Sequence, residues 1–440
     1  MRLDERGRAT NDLHRAQAML EQFDSSRAQQ DVASLCAESF AGRRVGTAGH
    51  DAAQAWLAKR LEALDLATTI FPFTLDVPVL DLYALPTLTL LDAGGDSERA
   101  LRHRTEFTPH PRSADRARPI IGAAHRIART GVSGGEGALL TTGSTPDVGV
   151  WLILDAVPQG EALASSVAAW AAEGVIGLLV PQAPNADGYL VKRIVGQRPV
   201  SLPMVSVRAD RLAALDGQRI AATTPIRSLL PHGGHVLGQL PGSDPSFAAA
   251  PLIVSAHYDG VGDDGPVGAG GDRLPCATDN AAGVAVILEL ARLLAGLAAR
   301  GNRPRKPIVF AALDAEEVNA VGSRTYALAL RSQGITPVVM NLDGAARLHD
   351  AIQVEPGPGA DVLVAALDAA GERLEMPLRA GSVSSDNRRF AAAGFAAVGV
   401  SVGLSGLHTP ADTRDRVEPE AMRQAGALLL ATIWRLAYSN

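Results

Sequence analysis

Two adjacent carboxylates, Glu316 and Glu317, close the segment 307–317, PIVFAALDAEE. Ile308, Val309 and Phe310, followed by two alanines and Leu313, predict a buried strand. The acid pair then sits at the carboxyl end of that strand, where open α/β sheets place their ligand sites. Neighbouring acids at such an edge repel each other and resist desolvation unless a cation or a shared proton offsets them. Four further segments supply matching groups. The run 252–259, LIVSAHYD, ends in His257 and Asp259, and Asp279 stands in TDN at the start of a long amphipathic segment. The run 338–343, VVMNLD, ends in Asp343, and His408 lies in GLHTPADT, a proline-interrupted loop after the apolar run 396–402. Each alone has an ordinary structural explanation: a strand-end Asp caps a helix, a lone His fills a gap, a Glu–Glu pair starts a solvated helix. Five such groups at the element ends of one alternating pattern point instead to a metal centre.

Histidine and carboxylates without cysteine suit hard-to-borderline divalent ions, zinc foremost, with manganese or cobalt as alternatives. One His and one acid per ion, plus a carboxylate shared by both, satisfies two Zn2+. Two ions about 3.5–4 Å apart bridge one water, lower its pKa and clamp a tetrahedral oxyanion. Asp259, two residues from His257, is placed to accept the imidazole N–H and fix its tautomer. Of the glutamate pair, one is expected to bind metal and the other to act as general base. Hydrolysis of a C–N bond is the chemistry this set suits.

The elements that must position these groups follow a regular rhythm from residue 236 onward. Strands are expected near 236–240, 251–256, 307–313, 337–342, 351–355 and 396–402, and helices near 280–299, 318–331, 360–371, 386–393 and 417–437. That alternation predicts an α/β fold with a mostly parallel central sheet and helices on both faces. Upstream, 1–35 is helical in pattern with Leu13, Ala16 and Leu20 on one side, 51–64 predicts a helix, and 68–73 a short strand. From 77 to 230 the texture changes to short strands broken by Gly and Pro, with one helix near 161–173, which predicts a smaller β-rich insert. The irregular histidines of 103–126 predict a surface loop, and HGGH at 232–235 a linker. The expected domains are a lead-in over 1–76, the insert over 77–230 and a catalytic segment over 231–440.

A chain of 440 residues has ample material for a core and more than one folding unit. The net charge of −6, with no basic stripe interleaved with aromatics, argues against nucleic acid as a partner. Cys36 and Cys276 are too few for a disulfide framework or a thiolate zinc site. The most apolar long segment, 281–299, carries Glu289 and Arg292, so no membrane span is expected. No apolar run follows the N-terminal MRLDER, so the cytoplasm is the expected compartment.

The motifs LPGSDP (240–245), AHYDG (256–260), TDNAAG (278–283), LDAEE (313–317), NLDG (341–344), SSDNRRF (384–390) and LHTPADT (407–413) occur in one order. In that order they resemble the di-zinc metallopeptidase family of bacterial leucyl aminopeptidases, aminopeptidase Y and the glutamate carboxypeptidases. The segment GRRVGTAGHDAAQAWLAKRLEAL is similar to that family's lead-in, and 77–230 resembles a protease-associated domain. The resemblance implies an exopeptidase acting on peptides, foremost an aminopeptidase. It implies that His257 and Asp343 hold one zinc, Glu317 and His408 the other, and that Asp279 bridges them. It makes Glu316 the base and Asp259 the residue that orients His257, and it implies a cis Asp279–Asn280 bond. Two departures stand out: Asn387 occupies a position where relatives often carry His, and no Tyr precedes His408 or the SSDN motif.

Alternatives within the fold are a carboxypeptidase or other amide hydrolase, a single-zinc glutaminyl cyclase, and a non-catalytic receptor-like relative. A related family that inserts a lid domain before its last His is excluded because only 65 residues separate Asp343 from His408.

Overall fold

The computed structural model describes residues 21–92, 94–126, 149–266 and 268–439, so the helical pattern expected at Leu13 to Leu20 lies outside the described residues. The chain divides into two units. One comprises 1–77, 230–262 and 273–440; the other comprises 78–229 and 263–272.

The first unit is built on eight strands. They are β1 (Ala67–Thr74), β2 (His232–Leu240), β3 (Leu252–His257), β4 (Ile308–Leu313), β5 (Val338–Leu342), β6 (Ile352–Pro356), β7 (Leu378–Ala380) and β8 (Ala396–Ser401), in the order β1-β2-β4-β3-β5-β8-β6-β7. The centre is parallel, with β4, β3, β5 and β8 side by side, while β1, β2 and the β8–β6 pairing are antiparallel. Parallel strands covered on both faces need continuous apolar runs rather than alternation, and β3 and β4 are buried at every position.

Successive residues of these strands feed two cores. Val254, Phe310, Met340 and Val398 face helices α1 (Ser25–Leu35), α2 (Ala48–Glu62), α3 (Ala282–Ala299), α5 (Asp361–Arg373) and α7 (Pro419–Ile433). Ile253, Val309, Val339 and Ala397 face α4 (Val321–Ser332) and α6 (Asn387–Ala392). Helix α3 is the central one, with Val284, Ala285, Leu290, Ala291 and Leu294 fully buried. The segment Ala277–Ala299 is long and apolar enough to cross a bilayer by length and composition, yet it is mostly buried within the protein. Replacing one of its leucines by alanine would cost about 2–5 kcal/mol.

HGGH is not a linker. His232 opens β2, and His235 is fully buried in it. Its glycines are packing requirements: a Cβ at Gly234 would lie 2.7 Å from the Gln54 amide nitrogen.

The second unit carries its own eight-stranded sheet, the helix Glu161–Ala172 and a buried Trp151. Its three central pairings, from Arg116–Arg126 through Val150–Ile153 and Val175–Gln182 to Met204–Arg208, are parallel. The region 103–126, expected as a loop, contributes the strands Phe107–Pro109 and Arg116–Arg126. Residues 263–272 belong to this unit because Asp264 is buried there. Its carboxylate accepts two bonds from Arg104 (2.6 and 2.7 Å), with the Lys192 ammonium 3.2 Å away.

Candidate metal centre

Strand β3 ends in His257 and β4 leads into Glu316 and Glu317, while β5 is followed by Asp343, so parallel alignment brings three groups to one sheet edge. Asp279 and His408 reach the same place from the turn before α3 and from the loop after β8. His257, Asp279 and Asp343 form one group of potential ligands, and Asp279, Glu317 and His408 a second; within each group the donor atoms lie within 4.8 Å of one another.

Asp279 serves both groups, one oxygen to each. Its Oδ1 lies 3.1 Å from Nε2 of His257, and its Oδ2 lies 3.2 Å from Nε2 of His408. His257 Nε2 is also 3.6 Å from Asp343, and His408 Nε2 is 2.8 Å from Glu317. His257 Nε2, Glu317 Oε1 and Asp343 Oδ1 are buried without a hydrogen-bond partner. Unpartnered polar atoms of this kind are costly unless something satisfies them, and a divalent cation in each group would do so. The donor set therefore fits two zinc-sized ions with imidazole and carboxylate ligands.

Local structure aims these side chains. The Asp412 carboxylate accepts the amides of Thr278 (2.6 Å) and Asp279 (3.2 Å), which fixes the turn ahead of α3. The Asp279–Asn280 bond is cis. The Asn280 side chain donates to Leu342 O (2.8 Å) and accepts from Gly344 N (3.2 Å), so it brackets Asp343 on both sides. Its Oδ1 also accepts from Gly283 N at 3.1 Å, an approach open only to glycine because a Cβ there would lie 2.2 Å from that oxygen.

Asp259 does more than the single task expected of it. His257 Nδ1 lies 3.5 Å from its carboxylate and 3.3 Å from its carbonyl oxygen. The carboxylate itself accepts the amides of Glu316 and Glu317, each at 3.1 Å. One buried acid thus ties the HYD turn to the glutamate pair.

Electrostatics follow from crowding. Burial alone would raise the Asp279 carboxyl, but bonds from His257 and His408 prevail and hold it well below the usual carboxylate range. Burial lifts Glu316 well above that range against the pull of His257, and it lifts Glu317 as well. Burial disfavours the charged forms of His257 and His408, yet Asp343 and Glu317 respectively drive both well above the ordinary imidazole value.

Three participants had no assigned role in the sequence. Asp386 of the SSDN motif is fully buried and pushed up by that burial to about 7, with His257 opposing. Asn387 is buried with its side chain against Gly399 of β8. Asp314, the residue before Ala315-Glu316-Glu317, pairs with His50 of the lead-in at 2.9 Å. The motif order located Asp386; nothing in local patterning reveals the His50 pairing, which spans 264 residues.

The parallel sheet thus gathers two acid–histidine groups at its carboxyl edge, the arrangement of a candidate metal centre. Residues 235–433 match the model of peptidase family M28. The chain is 26% identical over 280 residues to aminopeptidase YwaD of Bacillus subtilis (strain 168), a match covering 58% of this chain and 54% of that protein. The chain therefore matches about half the length of that relative. Among solved structures it is similar to BSAP, a zinc aminopeptidase from Bacillus subtilis, with a TM-score of 0.67, 19% identity and coverage of 95% of this chain and 96% of that one. It is also similar to the aminopeptidase from Aneurinibacillus sp. strain AM-1, with a TM-score of 0.62, 18% identity and 96% coverage of both chains.

Proposed function

We propose that this protein is a zinc-dependent aminopeptidase that removes residues from the free N-terminus of peptides. The observation that carries the reading is Asp279, whose two oxygens address two different histidines, with Glu316 in electrostatic reach of His257. His257 and Asp343 would hold one zinc, Glu317 and His408 the other, and Asp279 both. Zinc bound here supplies Lewis acidity, lowering the pKa of a coordinated water and drawing charge from a carbonyl oxygen.

The chain's own residues do the rest. Glu316, desolvated and with its backbone N–H donating to the Asp259 carboxylate, takes a proton from the attacking water. The water oxygen forms the new C–O bond, the C–N bond breaks, and Glu316 passes the proton to the leaving amine. Asp259 keeps His257 oriented and the glutamate turn in place.

The test is a panel of aminoacyl anilides and their N-acylated forms, assayed with and without a chelator. Free-amine substrates should be cleaved, with activity lost on chelation and restored by zinc. Cleavage of N-acylated peptides from a free C-terminus would make it a carboxypeptidase. Cyclisation of N-terminal Gln without peptide hydrolysis would make it a cyclase.

A further inference from the structure

The turn that presents the glutamate pair has an unusual hydrogen-bond pattern. Four consecutive amides, those of residues 314 to 317, all donate to side chains: Asp314 to His235 Nδ1 (2.9 Å), Ala315 to Asp314 Oδ1 (2.7 Å), and Glu316 and Glu317 to Asp259. Ala315, a non-glycine residue, is left-handed there with φ of 59°. A turn of this kind keeps its shape only while those side chains stay in place.

Asp314 is the hub. Its Oδ2 accepts Gly234 N at 2.7 Å, and its Oδ1 accepts both Ala315 N and His50 Nε2. Asp314 and His50 have 0% and 1% of their side chains exposed, so this is a buried ion pair. His50 sits in the first turn of α2, where Thr47 accepts its amide, and its ring stacks on Tyr258 at 5.3 Å. Tyr258, between His257 and Asp259, places its hydroxyl 3.0 Å from His50 Nε2 and donates to Gly234 O. The second ring nitrogen, Nδ1, lies 3.3 Å from Asp51. Both nitrogens thus face carboxylates, which a doubly protonated imidazolium satisfies. Burial opposes that charge, but Asp314 outweighs it and lifts His50 to about 9.

We propose that His50 and Asp314 are positioning residues for catalysis: the ion pair holds the 314–317 turn so that Glu316 is aimed at the reacting water, although neither residue reaches it. The inference rests on the peptidase reading above. Removing the pair should shift the base without removing a ligand. A displacement of about 1 Å at a reacting group costs on the order of a hundredfold in rate.

The experiment compares the unaltered protein with His50→Gln, Asp314→Asn and the double variant. Each is assayed on an aminoacyl anilide, with bound zinc counted on the same samples. The single variants should lose about ten- to a hundredfold in kcat, with KM and zinc content unchanged. The double variant, a neutral amide pair, should recover part of the loss. A second readout needs no activity: in zinc-free protein near neutral pH, 15N NMR should show a doubly protonated histidine that disappears in His50→Gln. Unchanged kcat in folded variants, a loss that tracks zinc content, or a neutral His50 would each overturn the proposal. An unaltered protein with no chelator-sensitive hydrolysis would overturn the peptidase reading and this inference together, whereas an active parent with indifferent variants overturns only the inference. If His50→Gln does not fold, Asp314→Asn carries the same comparison through the same contact.

Discussion

Replacing Glu316 by Gln keeps the side chain's size and the backbone N–H bond to Asp259 but removes the carboxylate proposed to take the proton. Loss of a general base costs about two to four orders of magnitude in rate, which is roughly 3–5 kcal/mol of transition-state stabilisation at 1.36 kcal/mol per tenfold. The loss is expected in kcat. Glu316 belongs to neither ligand group, whereas Glu317 lies 2.8 Å from His408 within one of them. The backbone turn, set by Asp259 and Asp314, does not depend on the Glu316 carboxylate. Glu316→Gln should therefore bind zinc as the unaltered protein does, and Glu317→Gln should bind less. The assay pairs steady-state hydrolysis of an aminoacyl anilide with elemental analysis of dialysed protein. Zinc lost at 316 and kept at 317 would reverse the two roles. Full activity in zinc-loaded Glu316→Gln would refute the reasoning altogether.

Other outcomes follow from single contacts. Arg104→Ala removes two bonds from the buried Asp264 carboxylate of the second unit, leaving it Lys192, and should destabilise that unit by about 1.5–3 kcal/mol, seen as a lowered melting transition, with zinc content unchanged. Asp412→Ala leaves the buried amides of Thr278 and Asp279 unpaired, at about 1–3 kcal/mol each, and should weaken zinc retention on dialysis. Excising 78–229 should leave a chain that still binds zinc, because every proposed ligand lies outside that segment; a folded product without zinc would contradict this.

The groups that gather at the sheet edge were legible in the sequence because each follows an apolar run or opens one, and parallel strands carry such residues to one edge. Apart from the short edge strand β7, which was not expected, the strands of the first unit fall within a few residues of the expected ranges, and the central ones do so because buried runs of Val, Ile, Leu and Ala announce themselves. What escaped notice is what depends on pairing across long separations. His50 and Asp314 look like a helix-turn polar residue and a strand-end cap until the fold joins them. HGGH reads as a linker because glycine weakens strand propensity, yet Gly234 is small to admit the Gln54 amide. Residues 263–272 lie within the expected catalytic segment 231–440, yet they belong to the second unit. Asp264 is buried there between Arg104 and Lys192, a pairing across more than seventy residues that local patterning does not reveal.

Removing zinc should change how stability depends on pH, and the direction follows from the crowding of acids and histidines. In the metal-free protein His257 and His408 have pKa values raised well above the ordinary imidazole value. A histidine of that kind stabilises the fold below its unfolded pKa of about 6.5, and the contribution is lost as pH climbs through the folded value. Glu316, Glu317 and Asp386 are carboxyls with raised values, Asp386 to about 7, so the fold is increasingly penalised as pH rises from about 4 through those values. Asp279, held low, acts in the opposite sense only at acid pH. Both larger groups therefore weaken the zinc-free protein as pH rises. Bound zinc takes the place of those protons and removes the dependence. His50, lifted to about 9 by Asp314, contributes equally to both forms and cancels in their difference. The gap between the melting temperatures of zinc-loaded and zinc-free protein should widen steadily from about pH 6 to about pH 9. A constant gap over that range would mean that the histidines and carboxylates are not the groups that zinc displaces protons from, and would remove the basis for placing metal there.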